Sequence, residues 1–168
     1  MDSLIVFYRM QMAKEIERKW LLKQLPKSDR SIVRTEEILQ GYLVAGDDSE
    51  VRIRRAGKKN TLTVKSGSGL TRDETEISIS AADFDRLWPS TEGQRIFKSR
   101  LKVFHKSATL EIDSYSGDLR GLYVVEAEFK SENDAMNFVP PAWVGREVTG
   151  DKAYGNRNLA TKGTPKLR

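Results

Sequence analysis

The chain has 168 residues, enough for one well-cored domain, with 38% hydrophobic and 32% charged residues and a net charge of +5 drawn from 29 basic and 24 acidic side chains. The absence of cysteine excludes disulfides and thiolate-ligated zinc, and a single histidine argues against His-rich metal sites and Ser-His-Asp machinery. Oxygen ligands remain, and plentiful charge of both signs favours a site that takes an anion and a metal together over a plain basic nucleic-acid patch.

Met12-Ala13-Lys14-Glu15 reads as a natural start, so residues 1–11 are expected to be an N-terminal extension. A single domain over 12–160 and a flexible tail over 161–168 follow. Leu4-Ile5-Val6-Phe7 is too short to cross a membrane and no basic segment precedes it, so neither a membrane partner nor a signal peptide is expected. The cytoplasm is the default location.

The first strand is Lys14 to Leu22. Successive strand side chains point to opposite faces, so Glu15, Glu17 and Lys19 share one face while Ile16, Trp20 and Leu22 crowd the other. Two carboxylates two residues apart repel unless a cation lies between them, and a divalent metal suits oxygen ligands. Lys23 to Arg30 reads as a loop, Ser31 to Glu37 has no clear period, and Ile38 to Val44 reads as a strand closed by a turn at 46–49. Glu50 to Arg55 alternates Val51 and Ile53 against Arg52 and Arg54, and Gly57 to Asn60 turns it back into Thr61 to Lys65, an antiparallel hairpin.

Gly67-Ser68-Gly69 has no phosphate-loop spacing and is read as a linker. Arg72 to Ile79 then puts Glu74, Glu76 and Ser78 on one face. Ser80 caps a predicted helix over Ala81 to Trp88, ended by Pro89. Gln94 to His105 sets Phe97, Leu101 and Val103 against Lys98, Arg100 and Lys102; Leu110 to Asp113 sets Glu111 and Asp113 against Leu110 and Ile112; Leu122 to Lys130 sets Glu126 and Glu128 against Val125, Ala127 and Phe129. A second Ser-capped helix opens at Ser131, and a last one is predicted over Asp151 to Ala160.

Strands patterned alike need one common polar face. Two constructions are open: an apolar interior with a charged exterior, or an inverted barrel in which charges line a wet lumen and the apolar parity faces outward under helices around Phe84, Trp88, Phe138 and Trp143. Same-sign pairs within each strand favour the lumen, since each set then has its own counter-ion.

Glu15-x-Glu17-x-Lys19, Arg52-x-Arg54, Lys65, Glu74-x-Glu76, Lys98-x-Arg100, Glu111-x-Asp113, Glu126-x-Glu128 and Asp151-Lys152-x-Tyr154-x-Asn156 together resemble the CYTH family, the triphosphate tunnel metalloenzymes. The stretches Gln40-Gly41-Tyr42-Leu43, Leu87 to Gly93 and Gly145 to Thr149 look like its short bacterial members, which hydrolyse inorganic tripolyphosphate. The resemblance implies an α+β, mainly β fold: an eight-stranded antiparallel closed barrel with a charged lumen and short helices outside. It implies Mg²⁺ or Mn²⁺ on Glu15, Glu17, Asp113, Glu126 and Glu128, and phosphates on Lys19, Arg52, Arg54, Lys65, Lys98 and Arg100. Glu74, Glu76 and Glu111 would support these, and Lys152 would help, although Ala153 and Gly155 replace residues that are usually basic. Tyr42 would accept a proton, its pKa lowered by a cationic lumen; Lys98 is the alternative for positioning the water. A nucleotide or thiamine triphosphatase, an adenylate cyclase, or a polyphosphate-binding module without turnover are the rival expectations. Nucleic acid is not an expected partner, because no aromatics interleave with the basic positions. A homodimer is left open.

Overall fold

The computed structural model describes residues 16–25, 32–46, 49–66, 73–106 and 108–166. Glu15, the N-terminal extension and the Gly67-Ser68-Gly69 linker lie outside the described residues. Every strong alternation forms a strand: β1 Ile16–Leu22, β2 Ile32–Ala45, β3 Ser49–Ala56, β4 Lys59–Ser66, β5 Asp73–Ser78, β6 Arg95–His105, β7 Ala108–Tyr115 and β8 Tyr123–Phe129. All pairings are antiparallel, in the order β1-β8-β7-β6-β2-β3-β4-β5. The polar stretch Ser31 to Glu37, without a period of its own, belongs from Ile32 onward to the 14-residue β2, which both β3 and β6 pin in place.

The closed barrel expected from the resemblance is corrected. The sheet ends at β1 and β5, which do not pair among the described residues. The free edge of β1 is already taken: Leu21 N donates to Arg146 O at 2.8 Å, Val148 N to Lys19 O at 2.8 Å, Gly145 N to Leu21 O at 3.0 Å and Lys19 N to Thr149 Oγ1 at 3.0 Å. A segment over 145–149 stands where a closing strand would have to pair.

The sheet is curved nonetheless. Arg54 on β3 lies within electrostatic reach of Asp113 and Glu111 on β7, although three strand spacings of about 4.8 Å separate those strands along a flat sheet. The charged parity faces the concave side. On the convex side Trp20, Leu22, Val103, Leu110, Ile112, Val125 and Ala127 pack with Phe138, under α2 (Glu132–Asn137), whose N-cap is Ser131. α1 (Ala81–Leu87), capped by Ser80, covers β3 and β4 with the buried Phe84, and continues as a 3-10 turn over Trp88–Thr91 instead of stopping at Pro89. Trp143 is not part of this cover: it is exposed on a non-helical segment.

A second apolar cluster occupies one end of the concave face, where Ile96, Tyr115 and Val124 meet Leu119, Leu122, Val148, Tyr154 and Leu159. The last predicted helix is split at Gly155 into a 3-10 turn, Lys152–Tyr154, and α3, Asn156–Lys162. α3 packs against β2 and β6 and stoppers that end of the trough. It also extends past the expected start of the flexible tail.

Candidate functional site

Alternation on neighbouring strands gathers the charges on the concave side, and the register decides which of them meet. Arg100 lies opposite Asp113, and Glu111 opposite Glu126, which in turn faces Lys19. Asp113 is fully buried and accepts from Lys98 Nζ at 2.5 Å and from the Arg100 fork, Nε and Nη2, at 2.7 Å each. Arg100 also bonds Glu111 and, at 3.0 Å, Glu126; Lys19 reaches Glu126 at 2.9 Å and Lys102 reaches Glu111 at 2.5 Å. Glu111 and Glu126 therefore repel across the strands but share the Arg100 guanidinium.

The neighbours set the protonation states. Burial pushes the Asp113 and Glu126 carboxyls up, but the cations beside them, Lys98 first, win and hold both below the ordinary range. Burial, aided by Arg100, lowers Lys98 despite Asp113. For Lys19 burial also opposes the charge, yet Glu126 and Glu17 outweigh it and its value rises.

The β3–β5 side is poorer in carboxylate. Among the described residues the carboxylates near Arg52 are Glu74 at 3.8 Å and Glu50 at 3.9 Å, while Lys65 holds Glu74 at 2.7 Å. Arg54 forms no ion pair among the described residues, and burial followed by repulsion from Arg100 and Arg52 lowers its pKa. The Nε atoms of Arg52 and Arg54 are buried without a hydrogen-bond partner among the described residues. Leaving a charged donor buried and unmade is costly, on the order of 1–3 kcal/mol or more each, a cost that a neighbouring anion would offset.

Tyr42 lies opposite Arg52 in the register, is 1% exposed, and its hydroxyl accepts from Gln40 Nε2 at 2.7 Å. The lowered pKa expected for it is corrected. Burial, then Glu50, pushes the phenol well above its usual value, and Arg52 and Gln40 offset only part of that. Glu50, which the charge pairs alone did not single out, shares the parity of Arg52 and Arg54 and is buried; that parity was its signal. Tyr115 is another: buried on the same face, it donates to Asn156 Oδ1 at 2.7 Å and lies under the Lys98 ammonium, 5.5 Å from ring to nitrogen.

Among the described residues no three carboxylates stand together as a metal-binding group. Glu17 and Glu128 do face each other directly across β1 and β8, with Lys19 at 3.7 Å from Glu17. Two opposed, exposed carboxylates suit a hard divalent cation; Glu15 lies outside the described residues. Glu76 is drawn toward Lys59 at 3.1 Å and Thr63 at 3.4 Å. Lys152 is exposed on its 3-10 turn, apart from the charged network.

The described residues form a curved antiparallel sheet with a charged concave face, on which two buried guanidinium Nε atoms lack a described partner and two carboxylates stand opposed. Residues 13–147 match the CYTH domain, and the chain belongs to that family. It is 44% identical over 148 residues to an inorganic triphosphatase of Nitrosomonas europaea, covering 87% of this chain and 96% of the relative. It is 36% identical over 150 residues to an inorganic triphosphatase of Acetivibrio thermocellus, covering 88% and 94%. A crystal structure of an inorganic triphosphatase superposes with a TM-score of 0.73 at 38% identity, over 92% of this chain and 99% of that one.

Proposed function

We propose that this protein is a metal-dependent inorganic triphosphatase that hydrolyses tripolyphosphate to pyrophosphate and phosphate on the concave face of its sheet. The observation that carries the reading is the pair of buried, unpartnered guanidinium nitrogens of Arg52 and Arg54, in a chain whose relatives are named inorganic triphosphatases.

Arg52 and Arg54 offer rigid forks to phosphate oxygens, while Lys65, Lys98, Lys19 and Arg100 add positive charge from the flanking strands. Glu17, Glu128 and Glu126, with Glu15 beyond the described residues, would hold Mg²⁺ or Mn²⁺. That ion, when bound, neutralises phosphate oxygens as a Lewis acid. Glu74, 2.7 Å from Lys65 and 3.8 Å from Arg52, would orient both toward the substrate. Water adds to a terminal phosphorus as the bridging P–O bond breaks and pyrophosphate leaves. Tyr42 is the proton acceptor of this scheme, its oxygen oriented by Gln40. Because burial raises its pKa in the substrate-free protein, the phenolate is scarce at neutral pH and the reaction speeds up as pH rises.

The test is phosphate release from tripolyphosphate, with ATP, thiamine triphosphate and pyrophosphate in parallel. Turnover of tripolyphosphate that stops with chelator supports the reading. Tight tripolyphosphate binding in chelator with no turnover of any substrate means the trough is a receptor.

A further inference from the structure

The family resemblance implies a metal ligand at Asp113, and the surroundings of that side chain argue for another task. An ionised carboxylate has two oxygens and about four acceptor directions. Oδ1 takes Arg100 Nε, while Oδ2 takes both Arg100 Nη2 and Lys98 Nζ, so three of those directions are filled by cationic donors. The side chain has no exposed surface. A divalent ion coordinated by either oxygen would stand within a few ångströms of an arginine and a lysine, and their repulsion in a buried setting works against it.

Glu17 and Glu128 are the contrast. They face each other across neighbouring strands, and Glu17 is 51% exposed with its nearest described cation, Lys19, at 3.7 Å. Carboxylates free to turn toward an ion lie at that end of the trough, and Asp113 is not one of them. What Asp113 does touch is a pair of cations on the concave face, Lys98 and Arg100. Lys98 has three N–H donors, one of which is fixed by Asp113 while the Tyr115 ring lies beside the ammonium; the other two take no hydrogen bond to a described residue. The Arg100 fork is locked in a two-point grip.

We propose that Asp113 is a positioning residue: its buried carboxylate fixes Lys98 and Arg100 for the substrate phosphates and does not ligate the metal. This rests on the triphosphatase reading of the same trough. A lost charge-assisted hydrogen bond that orients a binding group corresponds to a change of about tenfold or more in affinity.

The test compares wild type with Asp113→Asn in two independent readouts: Mn²⁺ affinity of the substrate-free protein by electron paramagnetic resonance, and KM and kcat for tripolyphosphate at saturating Mn²⁺. The expected result is a Mn²⁺ Kd within about twofold of wild type together with a KM raised about tenfold or more. A Mn²⁺ Kd weakened about tenfold overturns the proposal, and so does a variant with all three constants unchanged. If Asp113→Asn does not fold, wild-type crystals soaked in Mn²⁺ decide. Anomalous peaks on glutamates alone support the proposal, and a peak at coordinating distance from Asp113, about 2.0–2.6 Å, overturns it. Should wild type fail to turn over tripolyphosphate, the triphosphatase reading falls by itself; Mn²⁺ affinity and calorimetric tripolyphosphate binding then judge Asp113 by the same outcomes.

Discussion

Tyr42 shows how a side chain's chemistry follows from its neighbours and not from its type. Sequence placed it among cations, which lower a phenol's pKa; the fold also buries it and sets Glu50 nearby, and those two effects win. The proton-accepting form therefore grows with pH, and kcat/KM, which reports the free enzyme's groups, is expected to climb into the alkaline range. Tyr42→Phe should lower the rate and flatten that climb; an unchanged profile in the variant would remove Tyr42 from the mechanism. Arg18 and Glu147 give a second titration. Arg18 donates to both oxygens of Glu147, at 2.9 and 2.6 Å, and also to the carbonyls of Ala135 and Phe138. The Arg18 hydrogen bonds pull Glu147 down to about 2, against about 4.3 for a free glutamate. A carboxyl whose folded value is depressed stabilises the protein above its unfolded value, and that contribution disappears as pH falls from about 4.3 toward about 2. An NMR titration should place Glu147 near that lower limit, and Arg18→Ala should return it to the ordinary range.

At the scale of elements, two joints fix the trough. Gly41 on β2 approaches the 3-10 turn so closely that a Cβ there would come within 2.4 Å of Thr91 Oγ1 and 2.6 Å of Thr91 Cβ. Thr91 is fully buried, and its hydroxyl donates to Trp88 O and accepts from Arg95 Nε, so it has nowhere to turn. Gly41→Ala should destabilise by about 1–3 kcal/mol, read as a lower denaturant midpoint; an unshifted midpoint would contradict the close contact. The other joint is α3. Leu159 is 1% exposed beneath Tyr115 and Ile96 in the plug, and Leu159→Ala should cost about 2–5 kcal/mol by leaving a cavity. An equilibrium loss below about 1 kcal/mol would mean the plug is loosely packed. Strand interiors were legible because alternation is local: Val51 against Arg52, Ile112 against Asp113. The start of β2 was not, because Arg34 to Glu37 carries no period and becomes strand through its pairing with β6. The plug was also hidden. Ile96, Tyr115 and Val124 share the charged parity of their strands, so alternation alone assigns them to the wet face.

For the whole molecule, the sequence carried the decisive feature, a common charged face, yet left its side of the sheet open between two constructions. Curvature settles this physically: cations and carboxylates from β1, β3, β6, β7 and β8 converge only if that face is concave. What no local pattern could show is the seam. Closure depends on whether β1's edge is free, and the hydrogen bonds from 145–149 decide that it is not. Which acids meet cations instead of metal is likewise a matter of register: Asp113 and Glu17 look alike in sequence, but one faces Arg100 and the other Glu128.

That Arg52 and Arg54 receive the triphosphate is the core of the proposed function. It is tested most directly by metal-dependent phosphate release from tripolyphosphate in wild type and Arg54→Ala. Arg54 has no protein ion pair to lose among the described residues and its Nε bonds nothing. Its removal should therefore leave the thermal midpoint unchanged or raised, while kcat/KM falls about tenfold or more, as expected for a lost charged hydrogen bond. An Arg54→Ala protein with wild-type kcat/KM, or a wild type that releases no phosphate with Mg²⁺ or Mn²⁺ present, would contradict the account.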